Sequence, residues 1–346
     1  MASPEIPPRE GVKFGSRQRK ALRVSDEGLV HESALSSERA LPWMITPAQD
    51  GVNLIEWVAT HRADVERRLT TVGGILFRGF GVGSEAQLER FLQASCGELL
   101  EYSYRSTPRK QLSGNIYTST EYPADQHIPL HNELSYTREW PMKIAFCCLK
   151  AAQQGGETPI ADSRRIYDAI DAGVRERFAS RKVMYVRTYG GGLDLPWEEV
   201  FQTSDRNAVG EFCRAHGIEF DWLGDGRLRT RQVCQAVATH PATGEAVWFN
   251  QAHLFHVSAL PAAVRESLLS AHQEEDLPRN VYYGDGSRIE PEALAEVRRA
   301  LQQETVIFPW QEGDVVLLDN MLAAHARTPF VGPRKIVVGM AQPFSS

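Results

Sequence analysis

Short runs of apolar, β-branched and aromatic residues, bounded by Gly, Pro or Asp, recur along most of the chain. Runs of this length and make-up are typical of β-strands. The runs that predict strands are "GGILFRGF", "GNIYTSTEYP", "KIAFCCLKAA", "KVMYVRTYGGG", "GIEFDWL", "AVWFNQAHLFHV", "ETVIFPW" and "GDVVLLDNMLAAHA".

Apolar residues at helical spacing predict helices between some of these runs. They lie in "GVNLIEWVATHRADVERRL", "SEAQLERFLQAS", "SRRIYDAIDAGVRERFAS", "AVGEFCRAHG", "PAAVRESLLSAHQEE" and "PEALAEVRRALQQ". The helices come between strands irregularly, without the alternation of a βαβ fold. The pattern therefore predicts a mainly β protein with helices (α+β), in which helices pack outside a β-sandwich or jelly-roll core.

The first residues of the chain differ from the rest. Residues 1–38 are rich in proline and charge, so they cannot bury much apolar surface. They predict an N-terminal extension that is poorly ordered or wrapped over the surface. Residues 39–346 then form the globular domain.

Composition and charge narrow the classes of protein. With 42% hydrophobic and 24% charged residues in 346, the chain is typical of a soluble globular protein. Its net charge of −6 argues against a nucleic-acid or anionic-membrane partner, and no apolar run approaches the ~18 residues of a membrane span. The five cysteines form no CxxC pair, and the N-terminus lacks a signal-peptide apolar core, so we expect reduced thiols in a cytoplasmic protein.

A histidine and a glutamate stand two positions apart at two places in the chain. With 10 histidines and 44 acidic residues, spacing alone is not informative. His272 and Glu274 follow a helical pattern, in which residues two apart point in different directions. His131 and Glu133 follow Pro129 in a run that predicts extended backbone, where residues two apart share a face. We therefore expect His131 and Glu133, and not His272 and Glu274, to be able to share a metal ion.

A third ligand has to come from a distant strand, and His325 has the most suitable context. It follows an apolar strand and the polar pair "DN" in "GDVVLLDNMLAAHA", which predicts an imidazole at the rim of a barrel. Two imidazoles and one carboxylate on one face suit non-haem Fe(II), with three coordination positions left open. A zinc hydrolase can use the same ligand types, but the helical HExxH motif is absent.

Several further segments carry a family resemblance, which extends over residues 41–343. They include "LFRGF", "RSTPR", "YTSTEYPADQHIPLHNELSY", "GGETPIADSR", "WFNQAHLFH" and "LLDNMLAAHARTPFVGPRK". The set resembles the Fe(II)/2-oxoglutarate-dependent dioxygenases of the taurine dioxygenase and clavaminate synthase-like branch. It is most similar to natural-product hydroxylases of the syringomycin-pathway aspartate hydroxylase type. The resemblance implies a double-stranded β-helix (jelly-roll, cupin-like) core with helical insertions.

The resemblance also implies roles for five residues. His131, Glu133 and His325 match the family's iron ligands. Arg334 and Thr158 match the residues that bind the C5 carboxylate of the cosubstrate 2-oxoglutarate. The implied reaction uses O2, releases succinate and CO2, and hydroxylates an unactivated C–H bond of an amino acid or related small molecule, free or presented by a carrier protein.

The chain departs from the commoner form of the family at two positions. Glu133 stands where Asp is more frequent, which lengthens the ligand arm by one methylene. Val338 stands where the taurine enzyme has the arginine that holds the sulfonate. Since an apolar residue cannot anchor a sulfonate, taurine is not the expected substrate.

Other interpretations remain open at this point. A desaturase or cyclase would use the same residues with a different substrate pose, and a non-catalytic jelly-roll binding protein is the alternative from another class. Arg105 and Arg109 are either substrate-carboxylate ligands or solvated loop charges. Trp248 and Asn250 either pack in the core or line the pocket.

Overall fold

The computed structural model of the protein describes residues 28–100, 111–118, 122–190 and 195–345. Nineteen strands lie within these ranges. In chain order they are β1 (Val30–Ala34), β2 (Trp43–Pro47), β3 (Gly74–Phe77), β4 (Gln111–Ser113), β5 (Ile116–Thr118), β6 (Ile128–His131), β7 (Glu139–Lys150), β8 (Gln154–Gly155), β9 (Ile160–Asp162), β10 (Val183–Tyr189), β11 (Glu219–Trp222), β12 (Leu228–Cys234), β13 (Val237–Thr239), β14 (Ala246–Trp248), β15 (Arg279–Tyr283), β16 (Val315–Asp319), β17 (Ala323–Arg327), β18 (Phe330–Val331) and β19 (Lys335–Ser345).

Ten α-helices lie in the same ranges, and Ser84 is the N-cap of α3, where its side chain accepts the Gln87 N–H. They are α1 (Leu54–Thr60), α2 (Arg62–Val72), α3 (Glu85–Cys96), α4 (Ser163–Ala169), α5 (Ala172–Arg181), α6 (Trp197–Val200), α7 (Arg206–Ala215), α8 (Ala252–Phe255), α9 (Ala262–Ala271) and α10 (Pro291–Gln303). None of the helices in the described ranges has the length and apolar character that crossing a lipid bilayer requires.

Two sheets form the jelly-roll core. The larger has eight strands in the order β1-β2-β3-β16-β7-β19-β5-β4, and the smaller has three in the order β6-β17-β9. A cavity between them is lined by residues of β6 and β17 from one sheet and of β7 and β19 from the other. This arrangement confirms the predicted fold class, a double-stranded β-helix with helical insertions.

The central strands β3, β16, β7 and β19 of the large sheet are buried on both faces over most of their length, which explains why they are almost continuously apolar. Val316 and Leu318 of β16 face the main core between the sheets. Val315 and Leu317 of the same strand face a second core, which α1, α2 and α3 cover. Successive side chains of a strand point to opposite faces, so each of these strands supplies both cores.

A separate four-stranded sheet, in the order β11-β12-β10-β15, packs beside the jelly roll. Its outer part carries a small third core with α6 and α7. The predicted extension is described only from residue 28 onward, where β1 pairs with β2 as the edge strand of the large sheet. Residues 1–27 lie outside the described residues.

The structure corrects four of the predicted elements. The helix predicted over residues 51–69 is two helices, because the backbone at His61 leaves the helical region (ψ 23°). The helix predicted over residues 163–180 is likewise α4 and α5, separated by the extended Ile170 and Asp171. In "AVWFNQAHLFHV", β14 ends at Trp248 and α8 follows.

The predicted strand "ETVIFPW" is wrong in the described structure. Only Val306 makes a ladder contact, an isolated bridge to Ile160. Pro309 has no N–H to donate to a neighbouring strand, so this segment lacks the pairing of a strand, although Phe308 and Trp310 are buried.

Candidate functional site

His131 and His325 are cross-strand neighbours in the small sheet. β6 and β17 run antiparallel with His131 opposite His325, and the two ring centroids are 4.4 Å apart. Nδ1 of His131 lies 2.9 Å from the Pro129 carbonyl oxygen. Since a carbonyl only accepts, Nδ1 carries the proton and Nε2 is left with a lone pair, the tautomer that a metal ligand needs.

Glu133 lies beside the two histidines but not on the strand. β6 ends at His131, and Glu133 belongs to the following turn, where Leu134 has a positive φ of 57°. The prediction that His131 and Glu133 share one face of an extended strand is therefore wrong in its geometry. The turn nevertheless brings the buried carboxylate to the histidines, with Glu133 Oε2 3.9 Å from His325 Nε2.

One ligand atom from each of these three residues can be chosen so that all lie within 4.8 Å of one another. Among the residues that the structure describes, no other group of three or more His, Cys, Asp or Glu side chains meets this condition. Two neutral imidazoles and one carboxylate on one side of an ion match the donor set of non-haem Fe(II). The residues present therefore fit that metal.

His272 and Glu274, the other His-x-Glu pair, are not in the helix that the sequence predicted for them. α9 ends at Ala271, and His272 is extended (φ −134°, ψ 150°), so the helical argument against this pair is wrong. A different feature separates it from the first pair. The Glu274 carboxylate is engaged by Arg288 at 2.6 Å and by the Asn280 amide, and His272 is exposed.

A small cavity opens beside His131 and His325, between the two sheets. Phe146, Ile336 and Val338 form apolar walls, and Thr158 and Arg334 supply polar groups. The structure therefore brings together all five residues that the family resemblance singled out. Four of them line the cavity, and Glu133 lies beside one of these, His325.

Arg334 lies just before β19 and is oriented by the loop that precedes β9. Its Nε donates to the Gly156 carbonyl at 2.9 Å, and its guanidinium lies over the Phe330 ring. Gly156 has φ +75°, and a Cβ there would stand 3.0 Å from Arg334, so glycine suits this position. Burial and then the positive charge of Arg327 lower the pKa of Arg334 to about 10. The side chain still remains a cation at neutral pH.

Thr158 is buried and faces the same cavity. Trp310 Nε1 donates to the Thr158 hydroxyl oxygen at 3.1 Å. Because that oxygen already accepts a hydrogen bond, the hydroxyl proton can be donated to an anion in the cavity. A cationic guanidinium and a hydroxyl donor, set among apolar walls, are suited to one carboxylate.

Arg327 also lines the cavity, but its side chain hydrogen-bonds the protein backbone. Its two Nη atoms donate to the carbonyl oxygens of Tyr122, Pro123 and Gln126. These bonds fasten the segment before β6 to β17. Both Nη groups of Arg327 are thus engaged by the protein backbone.

Trp248 and Asn250, which the sequence left open between core packing and pocket lining, lie in the core. Trp248 is buried and packs edge-on against Phe178, with ring centroids 5.0 Å apart. Asn250 is buried, donates to the Ala236 carbonyl and accepts the Ala252 N–H. Arg105 and Arg109 lie outside the described residues.

Two buried asparagines that the sequence patterns did not single out contact the turn of Glu133. Asn320 and Asn132 are at most 3% exposed, and Asn320 hydrogen-bonds the backbone of Glu133. The signal was present in "LLDNML", where two polar residues interrupt an apolar stretch before His325. Buried polar residues are retained only where they have partners.

Comparison with known proteins agrees with this architecture. Residues 39–340 match the model of the taurine catabolism dioxygenase TauD, TfdA family. The dapdiamide synthesis protein DdaC of Enterobacter agglomerans is 38% identical over 87% of this chain and 91% of its own. A clavaminate synthase-like protein of Arabidopsis thaliana is 29% identical over 82% of this chain and 86% of its own.

A solved structure shares the fold. PvcB of Pseudomonas aeruginosa superposes with a TM-score of 0.55 at 17% identity, over 93% of this chain and 94% of that one. PvcB is described as an Fe, alpha-ketoglutarate dependent oxygenase from an isonitrile synthetic pathway. The predicted family resemblance is thus confirmed: the chain belongs to the taurine catabolism dioxygenase TauD, TfdA family, and it is an Fe(II)/2-oxoglutarate-dependent oxygenase that uses O2.

Proposed function

We propose that this enzyme hydroxylates an unactivated C–H bond of an amino acid or a related small molecule, in the biosynthesis of a natural product. The observation that carries the proposal is the cavity in which His131 and His325 meet Thr158 and Arg334. The similarity to a dapdiamide synthesis protein supports a biosynthetic role.

His131, Glu133 and His325 are the proposed iron ligands, and Arg334 and Thr158 the proposed 2-oxoglutarate ligands. When bound, iron and 2-oxoglutarate together supply the oxidising power for C–H cleavage, with release of succinate and CO2. The chain's own residues hold the ligand atoms on one side of the metal, orient the cosubstrate through its C5 carboxylate, and exclude water with Phe146 and Ile336.

The walls of the cavity limit the substrates that fit this proposal. Val338 is fully buried and lies in the same cavity as His131 and His325. It offers no charge or hydrogen bond at the position where the taurine enzyme places an arginine. This supports an amino-acid-like substrate and not a sulfonate.

The mode of substrate delivery and the compartment are also proposals. An amino-acid-like substrate fits either free or presented by a carrier protein. All five cysteines are free thiols and buried. Burial raises the pKa of Cys147 and of Cys148 to about 12, which keeps both as thiols at neutral pH. Reduced thiols support a cytoplasmic enzyme.

Mass spectrometry of a reaction mixture tests the function. The anaerobic enzyme, loaded with Fe(II) and 2-oxoglutarate, is exposed to O2 with a library of amino acids and their carrier-bound forms. We expect succinate release to be coupled to a product that has gained one oxygen atom. A product that has lost two hydrogens would instead identify a desaturase or cyclase, and no coupled succinate with any candidate would contradict the proposed substrate class.

A further inference from the structure

The turn that joins β16 to β17 lies against the backbone of Glu133. Oδ1 of Asn320 accepts the Glu133 N–H at 2.7 Å, and Nδ2 donates to the Glu133 carbonyl at 2.9 Å. The same Nδ2 donates to the Pro141 carbonyl at 2.9 Å. One side chain therefore satisfies both polar groups of the Glu133 backbone and links them to the start of β7.

Asn132 makes the reciprocal connection. Its Nδ2 donates to the Asn320 carbonyl at 2.7 Å and to the Ser163 hydroxyl at 3.0 Å. Its own carbonyl accepts from Gln251 Nε2 at 2.8 Å. Because Asn320 precedes β17, the pair joins the Glu133 turn to the strand that carries His325.

The turn that presents Asn320 is itself rigid. Asp319 Oδ1 accepts the N–H groups of Met321 and Leu322. Asp319 Oδ2 lies 2.8 Å from Lys143 Nζ and 3.2 Å from His240 Nε2. All three charged or polar side chains are almost fully buried, so the turn has little freedom to move.

The backbone after Glu133 needs such support. Leu134 adopts the left-handed region, with φ 57°, which is unfavourable for a residue with a Cβ and persists only where surrounding contacts enforce it. Without the Asn320 amide, the N–H and carbonyl of the buried Glu133 would lose these two hydrogen bonds, which is costly inside a protein. The turn would then relax and carry the carboxylate away from His325.

We propose that Asn320 and Asn132 are positioning residues that set the location of the Glu133 carboxylate relative to His131 and His325. This inference rests on the proposed role of Glu133 as a metal ligand. The side-chain amides of both asparagines hydrogen-bond backbone groups and Ser163. Their effect is transmitted through the backbone of the turn.

Mn(II) binding to the metal-free protein tests the proposal, followed by electron paramagnetic resonance. We expect Asn320→Ala to weaken Mn(II) binding by about 10–100-fold, the usual effect of removing a group that orients a ligand. The absorbance maximum of the Fe(II)–2-oxoglutarate complex should shift in the same variant, because the ligand field changes. A role in folding alone would leave that maximum in place.

Asn280→Ala is the matched control. Asn280 is also buried, and its side chain accepts the Val257 N–H and donates to Glu274 and Tyr282, away from the candidate ligands. It should lose stability but keep its Mn(II) affinity and absorbance maximum. A folded Asn320→Ala protein that binds Mn(II) as the Asn280→Ala protein does would overturn the proposal.

Two further variants keep the outcomes distinct. If Asn320→Ala does not fold, Asn320→Asp takes its place in the same comparison, because it keeps the shape and the acceptor for the Glu133 N–H. Glu133→Ala tests the proposed ligand itself. Unchanged Mn(II) binding in Glu133→Ala would refute the ligand assignment, whereas weakened binding there with unchanged binding in the Asn320 variant refutes only the positioning role.

Discussion

Replacement of Arg334 by Gln should weaken 2-oxoglutarate binding and leave metal binding largely intact. The guanidinium is held by the Gly156 carbonyl and the Phe330 ring beside the candidate metal ligands. Its surroundings are desolvated enough to lower its pKa to about 10. A carboxylate that enters this pocket gives up water and depends on the guanidinium for compensation.

The magnitude follows from the loss of one partner of a partly buried charge pair, which costs about 2–5 kcal/mol. At about 1.4 kcal/mol per tenfold change, the dissociation constant of 2-oxoglutarate should rise roughly 30-fold or more. Thr158→Val should cost less, about 0.5–3 kcal/mol, because it removes one uncharged hydrogen bond. It also removes the acceptor of Trp310 Nε1, so its thermal stability should fall as well.

The assay is an anaerobic titration of the Fe(II)–2-oxoglutarate charge-transfer absorbance in each variant. Arg299→Gln is the matched control, since Arg299 is a partly exposed arginine on α10 that pairs with Glu296. Its 2-oxoglutarate affinity should equal that of the wild type. An Arg334→Gln enzyme with unchanged affinity would refute the reasoning, and Arg327 would be the next residue to test.

Three other predictions follow from the structure. The enzyme should not halogenate, because the Glu133 carboxylate fills the coordination position that chloride needs; chlorinated product from the unmodified enzyme in chloride buffer, detected by mass spectrometry, would refute this. Burial lowers the pKa of His253 from 6.5 to about 4. As the pH falls, the unfolded chain therefore binds a proton at His253 before the folded protein does, and the free energy of unfolding decreases as the pH falls from about 7 to 5. His253→Gln should reduce that loss by about 2 kcal/mol in urea denaturation, and an unchanged pH dependence would contradict it. Lys143→Met should destabilise the fold by about 3–5 kcal/mol by the same measurement, because the buried Asp319 carboxylate loses its cation; wild-type stability would argue against this ion pair.

Much of the core could be predicted because its strands are buried on both faces. The continuous apolar run of β16 follows from periodicity and turn residues, whereas the cross-strand pairing of His131 with His325 is found only in the structure. The β-bulge between His325 and Arg327 could not be predicted, since it depends on pairing with a strand nearly 200 residues away in the chain.

The residues of the candidate site could be predicted from the sequence, but the way the chain arranges them could not. Local pattern indicated that His131 and Glu133 share a strand face, but the strand ends at His131 and the Glu133 backbone hydrogen-bonds Asn320, far away in sequence. Local periodicity also predicted one helix through His61, where α1 ends and the His61 ring stacks on Trp57, a contact that is itself local. The hydrogen bonds from Asn320 to Glu133 are the tertiary contacts that override local preference.

The measurement that tests the central claim most directly is the Fe(II) content of four alanine variants, prepared and reconstituted under anaerobic conditions. His131→Ala, Glu133→Ala and His325→Ala should each lose most of the bound iron, because their ligand atoms form the cluster within 4.8 Å. His272→Ala should bind iron as the wild type does, because that side chain is exposed at the end of α9. Equal iron loss from His272→Ala and His131→Ala would contradict the assignment of the site.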